Sequence, residues 1–173
     1  MGDDDRGEHV KTVYAHFGLA IYLAQCLEHG IVNALLVLDL VPNQAKTLRS
    51  ENEWSTKVDA FFDQNFRQTL GQMITALRKV TTVPTKLETL LAEALHKRNW
   101  LAHHYFRERA GQFMSASGRD HMIAELEDVQ KLFREADLQL EEISRPLMDK
   151  YGYTDAKVAA AFEELRKRTR NDL

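Results

Sequence analysis

VKTVYAHFGLAIYLAQCLEHGIVNALLVLDLV, residues 10–41, carries apolar side chains at Val13, Phe17, Ala20, Ala24, Leu27, Ile31, Leu35 and Leu38. Steps of three and four residues put side chains on one face of a 3.6-residue helix, so the stretch predicts a long helix with a buried stripe. From Gly30 to Leu38 both faces become apolar, the pattern of a helix covered on two sides. One cover could be the core and the other a second subunit. Pro42, which has no amide hydrogen to donate, is expected to stop this helix.

Working outward, the polar run Asn43 to Glu53 offers two helix starts at capping-box spacing, Ser50 with Glu53 and Thr56 with Asp59. Residues 42–57 are therefore expected to form a connecting segment. A second helix is predicted from about Lys57 to Val80 on the stripe Phe61, Phe62, Phe66, Leu70, Met73, Ile74 and Leu77. Thr85 with Glu88 caps a third, which runs without a breaker from Lys86 to about Ala110. Ser117 with Asp120 caps a fourth, seamed by Met122, Leu126, Val129, Leu132, Phe133, Ala136, Leu140 and Ile143 and ending near Tyr151-Gly152. A last helix is expected within 154–173. Its Arg166, Lys167, Arg168 and Arg170 either complement the helix dipole or form an RNA-contacting tail.

With 173 residues, 44% hydrophobic and 28% charged, the chain suits one domain with a sizeable core, and eight Gly and three Pro leave long stretches free for helix. The expected class is all-α, a four-helix up-down bundle with an additional C-terminal helix, spanning 1–173 after a disordered acidic tail at 1–9. That tail, Met1-Gly2-Asp3-Asp4-Asp5-Arg6, is unlike a basic-then-apolar export signal. The apolar run Ile31 to Val41 is interrupted by Asn33 and Asp39 and falls short of the ~20 residues a membrane span needs. A cytoplasmic protein with no membrane association is expected. A net charge of −3 argues against a broad nucleic-acid-binding surface. Cys26, the single cysteine, reads as a small buried hydrophobe.

The chemistry-bearing stretch is Arg98-Asn99-Trp100-Leu101-Ala102-His103-His104-Tyr105. At about 100° per residue, Leu87, Leu91, Ala94, Leu101, Ala102 and Tyr105 cluster around Arg98, while His96, Asn99, His103 and Arg107 form an adjacent stripe able to line a groove. His104 points to a third side. Such a groove suits metal-free RNA cleavage. A neutral imidazole takes the proton from a ribose 2′-hydroxyl, a protonated one gives a proton to the leaving 5′-oxygen, and a guanidinium grips phosphate oxygens. If two chains met through the groove in two-fold symmetry, each would supply one His and one Arg. Two readings stay open for Arg98: phosphate binding, or an ion pair with a buried carboxylate such as Glu28. Tyr105, Trp100 and Trp54 also read as packing residues.

Rival chemistries lack their parts. Glu93 and His96 make one Glu-x-x-His pair, whereas di-metal bundles need two. His103 and His104 diverge on a helix, and neither a Gly-rich phosphate loop nor a Ser-His-Asp or Cys-His signature occurs. No metal and no cofactor are expected.

The Arg98-x4-His103-x-Tyr105 pattern, with Asn99 directly after the Arg, resembles the HEPN superfamily, and the layout of long helices over residues 10–150 resembles it in outline. The resemblance implies a small helical domain whose Arg and His form a metal-independent RNase site at a homodimer interface. By position it assigns phosphate binding to Arg98, acid/base work to His103 and a supporting polar role to Asn99. His96, His104 and Arg107 would line the site. Tyr105 matches the Tyr that a cognate nucleotidyltransferase antitoxin modifies in toxins of this type. The implied function is a toxin or phage-defence endoribonuclease acting on RNA, with a non-catalytic dimeric module binding a protein or nucleotide as the alternative. The longer segment from Pro42 to Lys57 and the added terminal helix depart from the minimal toxins.

Overall fold

The computed structural model describes residues 3–44, 50–152 and 154–171, and among these it is all-helical, with no strand. Helix α1, Asp3–Leu35, holds the expected stripe: Val13, Ala20, Ala24, Leu27, Ile31 and Leu35 are buried, with Phe17 partly so. The helix begins well before Val10, so residues 3–9 are not the disordered tail expected from their charge; residues 1 and 2 lie outside the described residues.

Pro42 does not stop the helix. The chain passes from α1 through a π-helical turn, Leu36–Leu40, into α2, Val41–Gln44, and the Val41 N–H bonds back to the Leu36 carbonyl. This wider turn explains the continuity, because a proline ring clashes with the preceding carbonyls of a regular α ladder. The continuous helix Arg6–Gln44 is consequently 39 residues, long and apolar enough by length and composition to cross a membrane. Here its buried stripe belongs to the protein's own hydrophobic core.

Helix α3, Glu51–Phe66, takes the earlier of the two candidate starts. Ser50 Oγ accepts from the Glu53 N–H at 3.2 Å, whereas Thr56 lies inside the helix and donates to the Asn52 carbonyl. The connecting segment is thus shorter than 42–57, and its residues 45–49 lie outside the described residues. The second predicted helix is two. Asn65, buried, donates its side-chain amide to the Phe61 carbonyl at 2.8 Å, and α4, Leu70–Val80, restarts on a capping box between Thr69 and Gln72. Leu70, Met73, Ile74 and Leu77 are its buried face.

Helix α5, Thr85–His103, starts with Thr85 already helical, so the Thr85–Glu88 box is absent; Glu88 instead accepts a two-pronged bond from Arg78 of α4. The unbroken helix expected to Ala110 ends at His103. His104 leaves helical geometry at φ −130°, and two single turns follow, α6, Tyr105–Glu108, and α7, Ala110–Phe113. Helix α8, Ala116–Lys150, is capped by Ser115 rather than Ser117, its Oγ accepting from the Gly118 N–H at 3.1 Å. Gly118 itself is required, since a Cβ there would lie 2.1 Å from the Gln112 carbonyl oxygen. Gly152, at φ 76°, ends α8 as the sequence anticipated, and α9, Asp155–Asn171, closes the chain. Lys167 is exposed and Arg166 lies 3.6 Å from Glu163, while the Arg168 and Arg170 side chains lie outside the described residues.

Helix directions follow from which ends meet. His9 pairs with Asp120, Gln130 donates to the His16 carbonyl, and Gly30 lies beside Asp137, so α1 and α8 run parallel. Helix α5 runs against both: Arg98 meets Glu28, Lys86 meets Glu135, and Tyr105 meets Phe17 and Met122. The core lies between α1, α4, α5 and α8, centred on the fully buried Leu27, Leu77, Leu91 and Phe133. Each such side chain contributes about 1.5–3 kcal/mol by leaving water.

Candidate functional site

The motif sits where α5 ends. Leu87, Leu91, Ala94 and Leu101 face the core as phased, but Ala102, placed on the same stripe from sequence, is exposed. Arg98 is not buried in the apolar face. Its side chain, 34% exposed, runs along the rim, Nε donating to Glu28 Oε1 at 3.0 Å and Nη1 to Asn99 Oδ1 at 3.3 Å. Among the described residues Nη2 meets no acceptor. The carboxylate and the amide thus hold the planar fork from two sides with one amino group open to solvent.

His96, Asn99, His103 and Arg107 are all exposed, as their stripe requires. The helix breaks at His104, before Arg107, and Arg107 Nη2 lies 3.1 Å from His104 Nδ1. A guanidinium only donates, so in this contact Nδ1 stands as the acceptor. The His103 and His104 rings stand 6.2 Å apart and nearly perpendicular. The structure therefore joins Arg98 to Asn99 and His104 to Arg107, and leaves His103 at the last turn of α5 between them.

Tyr105 is only 1% exposed, its hydroxyl donating to the Met122 carbonyl at 3.2 Å. Burial, then the nearby Glu125 carboxylate, push its pKa well above the ordinary phenol value. This is the packing arrangement read as one alternative in the sequence, and it keeps the hydroxyl out of solvent. Around it lies an aromatic cluster the sequence did not disclose: Phe17 stacks on Tyr105, Trp100 meets it edge-on, and Phe106 contacts Phe17, Tyr14 and Phe113. Trp100 donates Nε1 to Glu108 at 2.8 Å and carries Lys97 and Arg109 over its ring. Helical phasing could not find this cluster because its members lie on α1, α5, α6 and α7.

Among the described residues no three His, Cys, Asp or Glu side chains gather into a metal site. A cavity of about 430 Å³ lies elsewhere, between α1, the π-helical turn, α3 and α8, with Trp54 in its wall. No family model, curated protein or solved structure matches the chain.

Proposed function

We propose that this chain is a HEPN-type, metal-independent endoribonuclease, acting as a homodimer in the cytoplasm as a toxin or phage-defence component. The observation that carries this reading is the Arg98 guanidinium, braced by Glu28 and Asn99 with Nη2 unpaired among the described residues, five residues before the exposed His103 on the same helix. A braced fork with one free amino group suits a phosphate whose charge rises in the transition state. In the proposed step the ribose 2′-oxygen attacks phosphorus as its proton passes to His103 Nε2 or Nδ1. The bond to the 5′-oxygen then breaks, and the protonated His103 of the second copy supplies that oxygen's proton. The products are a 2′,3′-cyclic phosphate and a 5′-hydroxyl.

The four-helix, HEPN-like bundle belongs to the same proposal: α1, α4, α5 and α8 make its core, the motif rides on the third of these, and α9 is appended. Because α1 and α8 run parallel, the up-down alternation has to count α3 as an outer arm. Control by a nucleotidyltransferase antitoxin at Tyr105 requires the core to open at that residue, since its hydroxyl is inside.

Purified protein incubated with RNA and EDTA is expected to yield 2′,3′-cyclic phosphate ends, and His103→Ala to abolish them with helicity unchanged. One observation favours the alternative, a non-catalytic dimeric module binding a protein or nucleotide: Glu28 already neutralises Arg98. Absence of cleavage across several RNA classes decides for that module.

A further inference from the structure

The cavity of about 430 Å³ beside the π-helical turn falls within the range of small-molecule sites, roughly 300–1,000 Å³. Its walls are largely apolar, with Val37 from the π-helical turn, Val41 from α2, Trp54 and Val58 from α3, and Leu140 and Met148 from α8. No Lys or Arg is among its lining residues, yet two carboxylates are. Glu141 is occupied by Arg145. Asp137 is not: among the described residues no donor reaches its carboxylate. Its Oδ1 lies over the bare backbone of Gly30, where a Cβ would come within 2.4 Å. Burial and the neighbouring Glu141 charge hold the Asp137 carboxyl above its ordinary pKa, as expected for an anion lacking a counter-ion.

An ionised carboxylate in an apolar wall is costly until a cation meets it. We propose that this cavity binds a small organic amine, its ammonium against Asp137 and its apolar body between Val37, Val41 and Trp54. Gly30 leaves the carboxylate room to face the ligand, and the indole of Trp54 adds a surface that favours cations. The site is independent of the motif on α5 and of the ribonuclease reading.

The test uses the full chain and three probes sharing one six-carbon body: hexylammonium, hexan-1-ol and hexanoate, titrated calorimetrically and by backbone amide shifts. Hexylammonium is expected to bind at least ~10-fold more tightly than hexan-1-ol, hexanoate most weakly, with shifts centred on Gly30, Val37 and Trp54. Asp137→Asn is expected to remove the preference for the ammonium while hexan-1-ol still binds. Val37→Trp, which fills the cavity, weakens all three, and far-UV circular dichroism checks that both variants fold. Equal affinity for the three probes, a preference that survives Asp137→Asn, or no binding of hexylammonium overturns the proposal.

Discussion

Arg98 reaches from α5 to Glu28 on α1, Nε donating to Oε1 at 3.0 Å, with the two side chains 34% and 18% exposed. A pair this open to water is screened, so its contribution to stability is about 1 kcal/mol. Its larger effect is on direction: it fixes which edge of the guanidinium faces out. Under the ribonuclease proposal, Glu28→Gln is expected to lower stability by no more than that amount while reducing kcat for RNA cleavage roughly three- to tenfold through misorientation, with KM nearly unchanged. Steady-state kinetics beside a urea melt separates the two effects. A kcat that holds or rises means that Glu28 only cancels the Arg98 charge.

Tyr105 links the core to alkaline stability. Its pKa is raised in the folded state, chiefly by burial. Its contribution is therefore complete below the unfolded phenol value of about 10 and is lost progressively as pH rises beyond it. Tyr105→Phe is expected to cost about 1 kcal/mol at neutral pH, by removing the hydroxyl's hydrogen bond to the Met122 carbonyl. The variant should lose less stability than the native chain between pH 10 and 12 (roughly the onset of phenol ionisation). Chemical denaturation across that range reads both effects, and parallel curves for the two proteins would refute the assignment.

Two glycines are predicted to respond in opposite directions. A Cβ at Gly118 meets the Gln112 backbone 2.1 Å away, whereas at Gly18, mid-helix in α1, nothing lies within 4 Å. Gly118→Ala should destabilise by about 1–3 kcal/mol through the forced backbone shift. Gly18→Ala should stabilise by roughly 0.5–1 kcal/mol through the entropy withdrawn from the unfolded chain. Thermal melts of the two single variants against the native chain test the pair together.

Arg119 is 2% exposed, donates Nη1 to the Phe113 carbonyl, and has no partner for Nε. Among the described residues no carboxylate meets it. A buried cation without a counter-charge is costly, and an apolar side chain of similar length avoids that cost. Arg119→Met is expected to leave stability within about 1 kcal/mol of the native value or to raise it. A loss well beyond that would show that the guanidinium is better compensated than its bonds indicate.

The long helices were readable because their stripes are regular: Val13, Ala20, Ala24, Leu27 and Ile31 were named from spacing and are buried. Their interruptions were not. The breaks at 67–69 and His104 carry no Gly or Pro, and depend on an Asn65 side chain competing for backbone and on a chain turning to bury Tyr105. Caps shifted to Ser115 because several residues near each start had suitable side chains, and only packing selects among them. At the site, Asn99 and His103 were correctly phased to the surface because α5 is regular as far as His103. Arg107 lies past the break, where phasing from α5 no longer applies. The cavity was invisible to spacing since Gly30, Trp54 and Asp137 meet only through tertiary folding.

The turn at Leu36–Leu40 amounts to one residue more than an α ladder would use over the same stretch. A chain shortened by one residue there could close as regular α-helix, with everything beyond it left at nearly the same angle about the axis, because the wide turn already absorbs the extra residue. Pro42 would then sit in a regular ladder, its ring against the carbonyl four residues back. The segment takes up one surplus residue without turning the chain, which lets the helix run on through Pro42 and keeps Val37 and Val41 beside Trp54.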